Sequence, residues 1–376
     1  MTIHVAHVIT KLDVGGAQTH LVELASGQHA AGYRVDVVAG VGGAAAERLV
    51  NAGVSVRIEP ALGSAYGRLA QRRAVSAVGH VLAAIGPGLV HGHSSNGGLA
   101  ARLAARRLGL PSVYTAHGWP FQKGARWQQR ALSLVGEFVG GHVGDAVIVL
   151  TGAELARAAR ARVVPRSRLW VVPNGISDVP SGLRRVPSRR GDPKRLVMVA
   201  RFAPPKMQNE LVTVLAELTD LEWTMQFVGD GPELEACCAA AARHPGLAGR
   251  IEFLGHRDDV AAVLAANDIG ILWSRYEGLP ISVMEYMRTG LCCVGRDLPG
   301  VRELLGYGSG SACGIVAGSP GALAAALRRL LAAPGLADEF GGAARKRYVE
   351  HFSAHAMVAA TAEVYDAITG RTLQRS

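Results

Sequence analysis

The chain has 376 residues, which is too long for one ordinary hydrophobic core and suits two domains. Hydrophobic residues make up 49% of the sequence but aromatic residues only 5%, and this composition favours helices packed on parallel strands over a β-sandwich. Residues 1–180 carry most of the net charge of +10, because they hold 18 Lys and Arg against 9 Asp and Glu. A basic first half favours phosphates or an acidic lipid surface as partners. A GC-rich genome would also raise the Arg content. Nucleic acid is disfavoured as a partner because no recognised binding motif accompanies the charge.

The first half of the sequence alternates between strand and helix patterns. We predict a buried strand at residues 3–9, a helix at 17–31 and a second strand at 34–39. Further strands are predicted near residues 89–92, 112–115 and 146–150. Short strands separated by helices predict parallel βαβ units with helices on both faces of a sheet.

Residues 178–195 interrupt this alternation, since they are rich in Pro, Ser and Arg and lack periodicity, and they therefore predict an interdomain linker. Residues 337–368 are helical in pattern, with a break near Phe352 and Ser353. The predicted fold class is α/β, with two Rossmann-like, doubly wound parallel-sheet domains at residues 1–178 and 179–354. In the second domain, strands are predicted at residues 196–200, 224–229, 251–254, 269–273 and 292–295.

The cysteines and the hydropathy pattern bear on the cellular environment. The five cysteines have no C-x-x-C spacing, which predicts reduced, packed thiols without a metal: Cys237, Cys238, Cys292, Cys293 and Cys313. Apolar runs all fall short of the ~18–20 residues that cross a bilayer. The N-terminus has two histidines in its apolar stretch and no basic n-region, so we predict a buried strand there and a cytoplasmic protein.

Ligands of doubly wound sheets bind at the carboxyl ends of the strands, so the loops there hold the candidate site residues. Gly15 and Gly16 precede the first helix, where backbone and free N–H groups approach an anion or a sugar hydroxyl. This turn is not G-x-G-x-x-G, which argues against a dinucleotide site and a nicotinamide-dependent oxidoreductase. His117 follows a predicted strand, and either a ligand contact or a structural role fits that position.

Two cations follow the first strand of the second half. Arg201 and Lys206 lie on one Pro-stiffened loop, where an Arg fork and a Lys point charge would clamp a diphosphate; two solvated surface cations are the alternative. Gly229 ends a later strand, where it allows close packing or close approach of a ligand.

Glu277 and Glu285 are the most specific feature of the second half. Glu277 ends the loop after a buried strand, and Glu285 lies eight residues later, about two turns into the next helix. The first carboxylate would accept from sugar hydroxyls and the second from a ribose, while the helix N-terminus faces a phosphate. Such a spacing also arises by chance on exposed helices, but Glu285 lies in an apolar stretch, where an unpartnered carboxylate is costly.

Nearly the whole chain resembles the retaining glycosyltransferases of family four, which have the GT-B fold. Each motif alone is weak, whereas their order and spacing together are specific. The segments that carry the resemblance are GGAQTH (15–20), VHGHSSNGGLAARLAARRLGLPSVYTAHG (90–118), VVPNGI (171–176), ARFAPPK (200–206), VGDGP (228–232), FLGHRDDV (253–260) and SRYEGLPISVMEYMRTG (274–290).

The resemblance implies a role for each matching residue. Gly15 and Gly16 would line the donor phosphate or the acceptor side, and His117 would contact the donor sugar. Arg201 and Lys206 would bind the diphosphate, and Glu285 the ribose. The loop of His256 and Arg257 would hold the base largely through backbone groups, and Glu277 would hold sugar hydroxyls. The remaining residues expected around the donor are Gly229, Gly278, Leu279, Pro280 and Ile281.

The resemblance also implies that the terminal helix, residues 355–376, packs back onto the first domain. The sequence departs from the usual family pattern at two places: Met207 follows Lys206 where Gly or Asp is more usual, and E-G-L-P replaces the common E-G-F-G.

By resemblance, the chain is a retaining hexosyltransferase that moves a sugar from a nucleotide sugar, with a UDP-sugar expected, to a glycan or lipid-linked acceptor in polysaccharide or glycoconjugate synthesis. The sequence has no D-x-D motif, so we expect no metal and no cofactor, with Arg201, Lys206 and helix N–H groups neutralising the leaving group. The basic first domain would allow peripheral contact with the inner face of the cell membrane. Two alternatives remain open, namely a nucleotide-sugar epimerase and a non-catalytic partner subunit.

Overall fold

The chain forms two compact units, each built around one parallel sheet. Unit 1 comprises Met1–Ser177 and Ala354–Ser376, and unit 2 comprises Asp178–Ser353. The predicted α/β fold class with two doubly wound parallel sheets is confirmed. A computed structural model describes residues 3–13, 15–63, 67–119, 136–188, 192–308, 310–333 and 335–370.

Unit 1 contains a seven-stranded parallel sheet in the order β3-β2-β1-β4-β5-β6-β7. The central strands are buried along their length, which explains their nearly continuous apolar sequences. The strands are His4–Lys11 (β1), Arg34–Val41 (β2), Ser55–Ile58 (β3), Leu89–His93 (β4), Ser112–Ala116 (β5), Ala146–Val149 (β6) and Leu169–Val171 (β7).

Helices connect these strands, and α4 and α5 end where Gly86 and Gly109 adopt left-handed backbone angles. A further helical segment, residues 136–143, precedes β6. The helices of this part of the chain are Gly16–Ala30 (α1), Ala44–Asn51 (α2), Pro60–Gly63 (α3), Arg68–Ile85 (α4), Ser95–Leu108 (α5) and Gly152–Ala161 (α6).

Unit 2 contains a six-stranded parallel sheet in the order β10-β9-β8-β11-β12-β13. The strands are Lys194–Val199 (β8), Trp223–Val228 (β9), Ile251–Phe253 (β10), Ile269–Leu272 (β11), Cys292–Arg296 (β12) and Gly314–Ala317 (β13). The helices are Gln208–Ala216 (α7), Leu234–Ala242 (α8), Val260–Ala265 (α9), Ile281–Thr289 (α10), Pro299–Leu304 (α11), Pro320–Ala332 (α12) and Leu336–His351 (α13).

The prediction of a linker at residues 178–195 is wrong, because the described part of this segment packs onto unit 2. Arg185 is buried and donates to Asp268 (3.0 Å) and to Asp338 (2.5 Å). Burial alone would raise the pKa of the Asp268 carboxyl, but hydrogen bonds from Arg195 and Arg185 lower it to about 2. The irregular backbone explains the Pro-rich sequence, and the ion pairs with Asp268 explain Arg185 and Arg195.

The last helix, Ala354–Thr369 (α14), belongs to unit 1. It begins after a break at Phe352 and Ser353, as predicted. Its Val358 lies against Gly27 of α1, and its Tyr365 is buried below the sheet of unit 1. The apolar face of α14 therefore completes the core around β1, β4 and β5.

All five cysteines are free thiols, and all except the half-buried Cys238 are buried. Burial raises the pKa of Cys237 and Cys292 to about 12, so these thiols remain protonated and unreactive at neutral pH. The prediction of packed, unpaired thiols is confirmed. Among the described residues, no helix is both long enough and apolar enough to cross a bilayer.

Candidate active site

Two neighbouring strands of unit 2 place the predicted cations and carboxylate at one edge of the sheet. β8 and β11 run parallel and side by side, so the loops that follow them leave from the same edge. The backbone joins these loops, because Lys206 forms an antiparallel bridge with Ser274 and the Met207 N–H donates to the Trp273 carbonyl at 3.0 Å. Two loops separated by about 70 residues in sequence thus form one surface.

Lys206 and Glu277 make direct contact on this surface. The Lys206 Nζ donates to the Glu277 Oε1 at 2.5 Å, and the two side chains are only 18% and 14% exposed. Partial burial strengthens an ion pair relative to one in open solvent. The structure therefore brings together a cation and a carboxylate that the sequence predicted for one site, with both side chains held in fixed positions.

Arg201 lies on the same loop but its side chain is exposed. Its carbonyl accepts from the Gln208 Nε2 at 3.0 Å, which fixes the backbone while the guanidinium extends into solvent. Gly229 packs against this loop at a left-handed φ of 137°, and a Cβ there would lie 2.2 Å from the Ala200 carbonyl oxygen. Close backbone packing thus explains the need for glycine at position 229.

The side chains of His256 and Arg257 are turned toward solvent. Arg257 pairs with Asp259 at 2.7 Å, and the His256 ring is 71% exposed and 3.4 Å from Asp258. Such exposed pairs contribute little to stability. The loop itself is held by its backbone, since the Gly229 N–H donates to the Gly255 carbonyl at 2.8 Å.

The segment from Gly278 to Ile281 leads into α10. Leu279 is buried, and Pro280 caps the helix without a side-chain hydrogen bond, which leaves first-turn N–H groups for a ligand. Glu285 lies on α10 with its Oε1 4.0 Å from the Arg288 Nη2 and its side chain 25% exposed. Its ribose contact stays a prediction.

Gly300, which the sequence analysis did not single out, fixes the position of this segment. A Cβ at residue 300 would lie 1.6 Å from the Gly278 carbonyl oxygen and 3.4 Å from the Leu279 Cα. No side chain fits there without moving the loop that carries Glu277. The sequence signal that could have identified Gly300 was the Pro-Gly pair that begins α11, shortly after β12.

Arg296 is a further cation that the sequence analysis missed. It ends β12, the strand next to β11, with its Nη1 4.0 Å from the Glu210 carboxylate and its guanidinium 5.3 Å from the centre of the Trp273 ring. A cation at the carboxyl end of a predicted strand was the signal that singled out Arg201, and it applied equally here.

In unit 1, Gly15 and Gly16 form the start of α1. No described side chain caps this helix, and a Cβ on Gly16 would meet no atom of the described residues within 4 Å outside the neighbouring backbone of α1. The first turn therefore offers N–H groups to a ligand.

His117, at the end of β5, belongs to a cluster of five histidines in unit 1. Four of them are fully buried and His117 is half-buried. Burial lowers the pKa of His7 and His20 to about 4 and holds the pKa of the other three well below 6.5, so all five rings are neutral at physiological pH. The other members are His7, His20, His91 and His93.

The register of the sheet explains the cluster. His7 lies opposite His91 across β1 and β4, and His93 lies opposite Thr115 across β4 and β5. Positions two apart on a strand share a face, so the V-H-G-H spacing on β4 was a readable signal. Trp119 beyond His117 is buried, whereas the next two residues, Pro120 and Phe121, lie outside the described residues.

Comparison with known proteins agrees with this architecture. Residues 15–175 match the glycosyl transferase 4-like domain, and residues 193–333 match glycosyl transferases group 1. The UDP-Gal:alpha-D-GlcNAc-diphosphoundecaprenol alpha-1,3-galactosyltransferase of Escherichia coli is 27% identical over 230 residues, 56% of this chain and 58% of that protein. The N-acetyl-alpha-D-glucosaminyl L-malate synthase of Bacillus anthracis is 28% identical over 174 residues, 46% of this chain and 45% of that protein.

Among solved structures, Anabaena HepE in complex with UDP superposes with a TM-score of 0.79 at 20% identity, covering 97% of this chain and 100% of that one. The fold is therefore GT-B. The chain belongs to the glycosyltransferases that combine a glycosyl transferase 4-like domain with a group 1 domain, as the resemblance to family four predicted. The matched regions span about half the length of the two curated relatives named above.

Proposed function

We propose that this protein transfers a sugar from a UDP-sugar to a glycan or lipid-linked acceptor, with retention of the anomeric configuration and without a metal. The observation that carries the proposal is the ion pair of Lys206 with Glu277 at the carboxyl edge of the unit 2 sheet. A carboxylate that accepts from sugar hydroxyls, beside a cation that meets a phosphate, is the pairing a nucleotide sugar requires.

The names of related proteins support the choice of donor and acceptor. HepE was crystallised with UDP, and the Escherichia coli relative is named for UDP-Gal and for a diphosphoundecaprenol acceptor. Residues 1–180 contain 18 Lys and Arg but only 9 Asp and Glu, and this positive charge would attract the protein to an anionic membrane surface. Such an attraction agrees with a lipid diphosphate acceptor.

The chemistry proposed for unit 2 is charge stabilisation of a leaving nucleoside diphosphate. The acceptor hydroxyl oxygen bonds to C1 of the sugar from the face that the phosphate leaves. The C1–O bond to the phosphate breaks, and the hydroxyl proton passes to the departing phosphate oxygen. Lys206, Arg201 and the N–H groups at the start of α10 offset the negative charge that develops on that oxygen. The sequence contains no D-x-D motif, which supports a reaction without a metal.

A donor screen tests the proposal. Purified protein is incubated with UDP-, GDP- and ADP-sugars, with and without a chelator, and release of the nucleoside diphosphate is followed with and without polyprenyl-diphosphate sugar acceptors. We expect release from a UDP-sugar that accelerates with acceptor, and proton NMR of the product should show the anomeric configuration of the donor.

The other outcomes decide against specific parts of the proposal. Isomerisation of a UDP-sugar without an acceptor would indicate an epimerase. Binding without turnover of any donor would indicate a non-catalytic partner subunit. Turnover that a chelator abolishes would exclude the metal-independent reaction.

Gly300→Ala should reduce the kcat/KM of sugar transfer by about 100-fold or more, because a displacement of about 1 Å at a positioning loop can have that effect. The added Cβ displaces the Gly278 carbonyl and with it Glu277. Gly321→Ala is the matched control, since it alters a second Pro-Gly pair, at the start of α12, where the added Cβ meets no described atom within 4 Å outside the adjoining backbone. Equal kcat/KM values for the two variants would exclude this role for Gly300.

A further inference from the structure

Arg296, Trp273 and Glu210 form a cluster beside the surface that carries Lys206 and Glu277, and the proposed chemistry does not use it. Arg296 ends β12, which pairs in parallel with β11, and Trp273 directly follows β11. The Arg296 guanidinium lies over the Trp273 ring, 5.3 Å from its centre. Because Trp273 is fully buried, the guanidinium rests on an aromatic surface that is fixed by the core.

Glu210 connects these two residues to the start of α7. Its Oε2 accepts from the Trp273 Nε1 at 2.5 Å and lies 4.0 Å from the Arg296 Nη1. Glu210 is in the first turn of α7, where a carboxylate also meets the positive end of the helix dipole. One carboxylate therefore joins the first turn of α7 to the carboxyl ends of two neighbouring strands.

Met207, the residue between Lys206 and α7, is held by both its backbone and its side chain. Its N–H donates to the Trp273 carbonyl at 3.0 Å, and its Sδ accepts from the Arg296 Nη1, also at 3.0 Å. A thioether sulfur is a weak acceptor, but methionine has three rotatable bonds, and contact with the guanidinium limits their freedom. Arg296 thus fixes the side chain of the residue that directly follows Lys206.

The two adjacent side chains make contacts with different groups. Lys206 pairs with Glu277, whereas Met207 contacts Arg296. Since the two residues share one peptide bond, a shift of Met207 would also move the backbone of Lys206. A displacement of about 1 Å at a positioning loop can change a rate by about 100-fold.

The same contact accounts for a departure from the family pattern. Met207 occupies a position where Gly or Asp is more usual. Glycine has no side chain to be held, whereas a methionine needs a partner to select one rotamer. Arg296 provides that partner from 89 residues later in the chain.

We propose that Arg296 is a positioning residue, which holds Met207 against the end of β11 and thereby keeps Lys206 directed at the donor diphosphate. Arg296 acts through Met207 and Lys206 and makes no contact with the donor. This inference rests on the proposed function, because it concerns the placement of the cation that meets the diphosphate.

A double-mutant cycle of Arg296 and Lys206 tests the proposal, with titration calorimetry of UDP and of uridine as the measurement. Arg296→Met removes the charge and the N–H donors but keeps a long side chain. We expect it to weaken UDP binding by about tenfold in the wild-type background and by less than about twofold in Lys206→Ala, since a residue that acts only through Lys206 has no further effect once Lys206 is absent. The affinity for uridine should not change. Equal losses of UDP affinity in the two backgrounds would overturn the proposal.

A second cycle tests the route through Met207. In Met207→Gly there is no side chain for Arg296 to hold, so Arg296→Met should leave the affinity of this variant for UDP nearly unchanged. A loss of UDP affinity as large as in the wild-type background would overturn this route. If Arg296→Met does not fold, Arg296→Gln takes its place in both cycles, because it removes the charge and shortens the reach of the side chain while it remains polar.

Arg302→Met is the matched control. Arg302, on α11, also pairs with a carboxylate, Asp297 at 3.0 Å, and lies over an aromatic ring, 5.2 Å from the centre of Tyr307. Its replacement removes the same kinds of contact outside the two loops of the site and should leave the affinity for UDP unchanged. An equal loss of UDP affinity in Arg302→Met and Arg296→Met would contradict a specific role for Arg296.

Failure of this inference can be distinguished from failure of the proposed function. Wild-type protein that binds UDP no more tightly than uridine would count against the proposed function. Wild-type protein that prefers UDP, together with an Arg296→Met variant of unchanged UDP affinity, would overturn only the role of Arg296.

Discussion

Acidification from about pH 7 to about pH 5 should lower the free energy of unfolding of unit 1 by several kcal/mol. Burial lowers the pKa of His7 and His20 from 6.5 to about 4, and it places those of His91, His93 and His117 well below 6.5. As the pH falls below 6.5, the unfolded chain binds protons at these residues and the folded chain does not. Stability that is present above pH 6.5 is therefore lost progressively toward pH 4, at up to about 1.4 kcal/mol per histidine per pH unit.

Amide hydrogen exchange measured across this pH range, corrected for intrinsic exchange rates, resolves the two units within one sample. Strands β1, β4 and β5 should lose protection steeply, whereas β8, β9 and β11 should change less, because unit 2 contains only three of the chain's 13 histidines. His355→Gln, on the exposed face of α14, is a control that should not alter the dependence. An equal loss of protection in both units would contradict the explanation.

Lys206→Ala should reduce turnover of the UDP-sugar by a factor of about 10² to 10³, comparable with loss of one donor to a developing oxyanion. The variant removes the cation at the sheet edge and leaves the Glu277 carboxylate, 14% exposed, without its partner. Lys206→Arg should retain part of the activity, because it keeps the charge but replaces a point charge by a planar fork.

Lys346→Ala is the control for net charge, since Lys346 is exposed on α13. Steady-state assays with saturating acceptor separate an effect on kcat from an effect on KM for the donor. Wild-type kcat in Lys206→Ala would exclude Lys206 from the reaction.

The parallel sheets could be predicted from the sequence because their central strands are buried on both faces. The three strands that the sequence analysis missed, β3, β7 and β13, all lie at sheet edges, where strands are short and partly exposed and their apolar pattern is weak. The segment 178–188 was misinterpreted for a related reason. Its irregular backbone resembles a linker in composition, and only the structure shows that Arg185 is paired inside unit 2.

The candidate site was partly predictable. Lys206 and Glu277 follow predicted strands, and ligands bind at the carboxyl ends of strands in such sheets. Their charged side chains and their position in the sequence together therefore indicated that both belong to the site. The contribution of Gly300 depends on a backbone approach between segments 22 residues apart, which periodicity does not encode.

The histidine cluster shows a different limit of sequence reasoning. The V-H-G-H spacing indicated that His91 and His93 share a face, but the contacts of the cluster with Gln28 and Tyr365 require the pairing of β1 with β4 and the return of α14. None of these residues lies in a recognisable sequence motif of its own. Their hydrogen-bond contacts with one another arise only when the chain folds.

Equilibrium binding of UDP and of uridine to wild-type protein and to Lys206→Ala tests most directly whether the Lys206 edge of unit 2 holds the donor diphosphate. Titration calorimetry should show that UDP binds wild-type protein at least about tenfold more tightly than uridine, since charge-assisted hydrogen bonds to the diphosphate each add about 1.5–3 kcal/mol. Most of that preference should disappear in Lys206→Ala while the affinity for uridine is unchanged. Equal affinities of wild-type protein for UDP and uridine would contradict the assignment of the Lys206 edge as the site of the donor diphosphate.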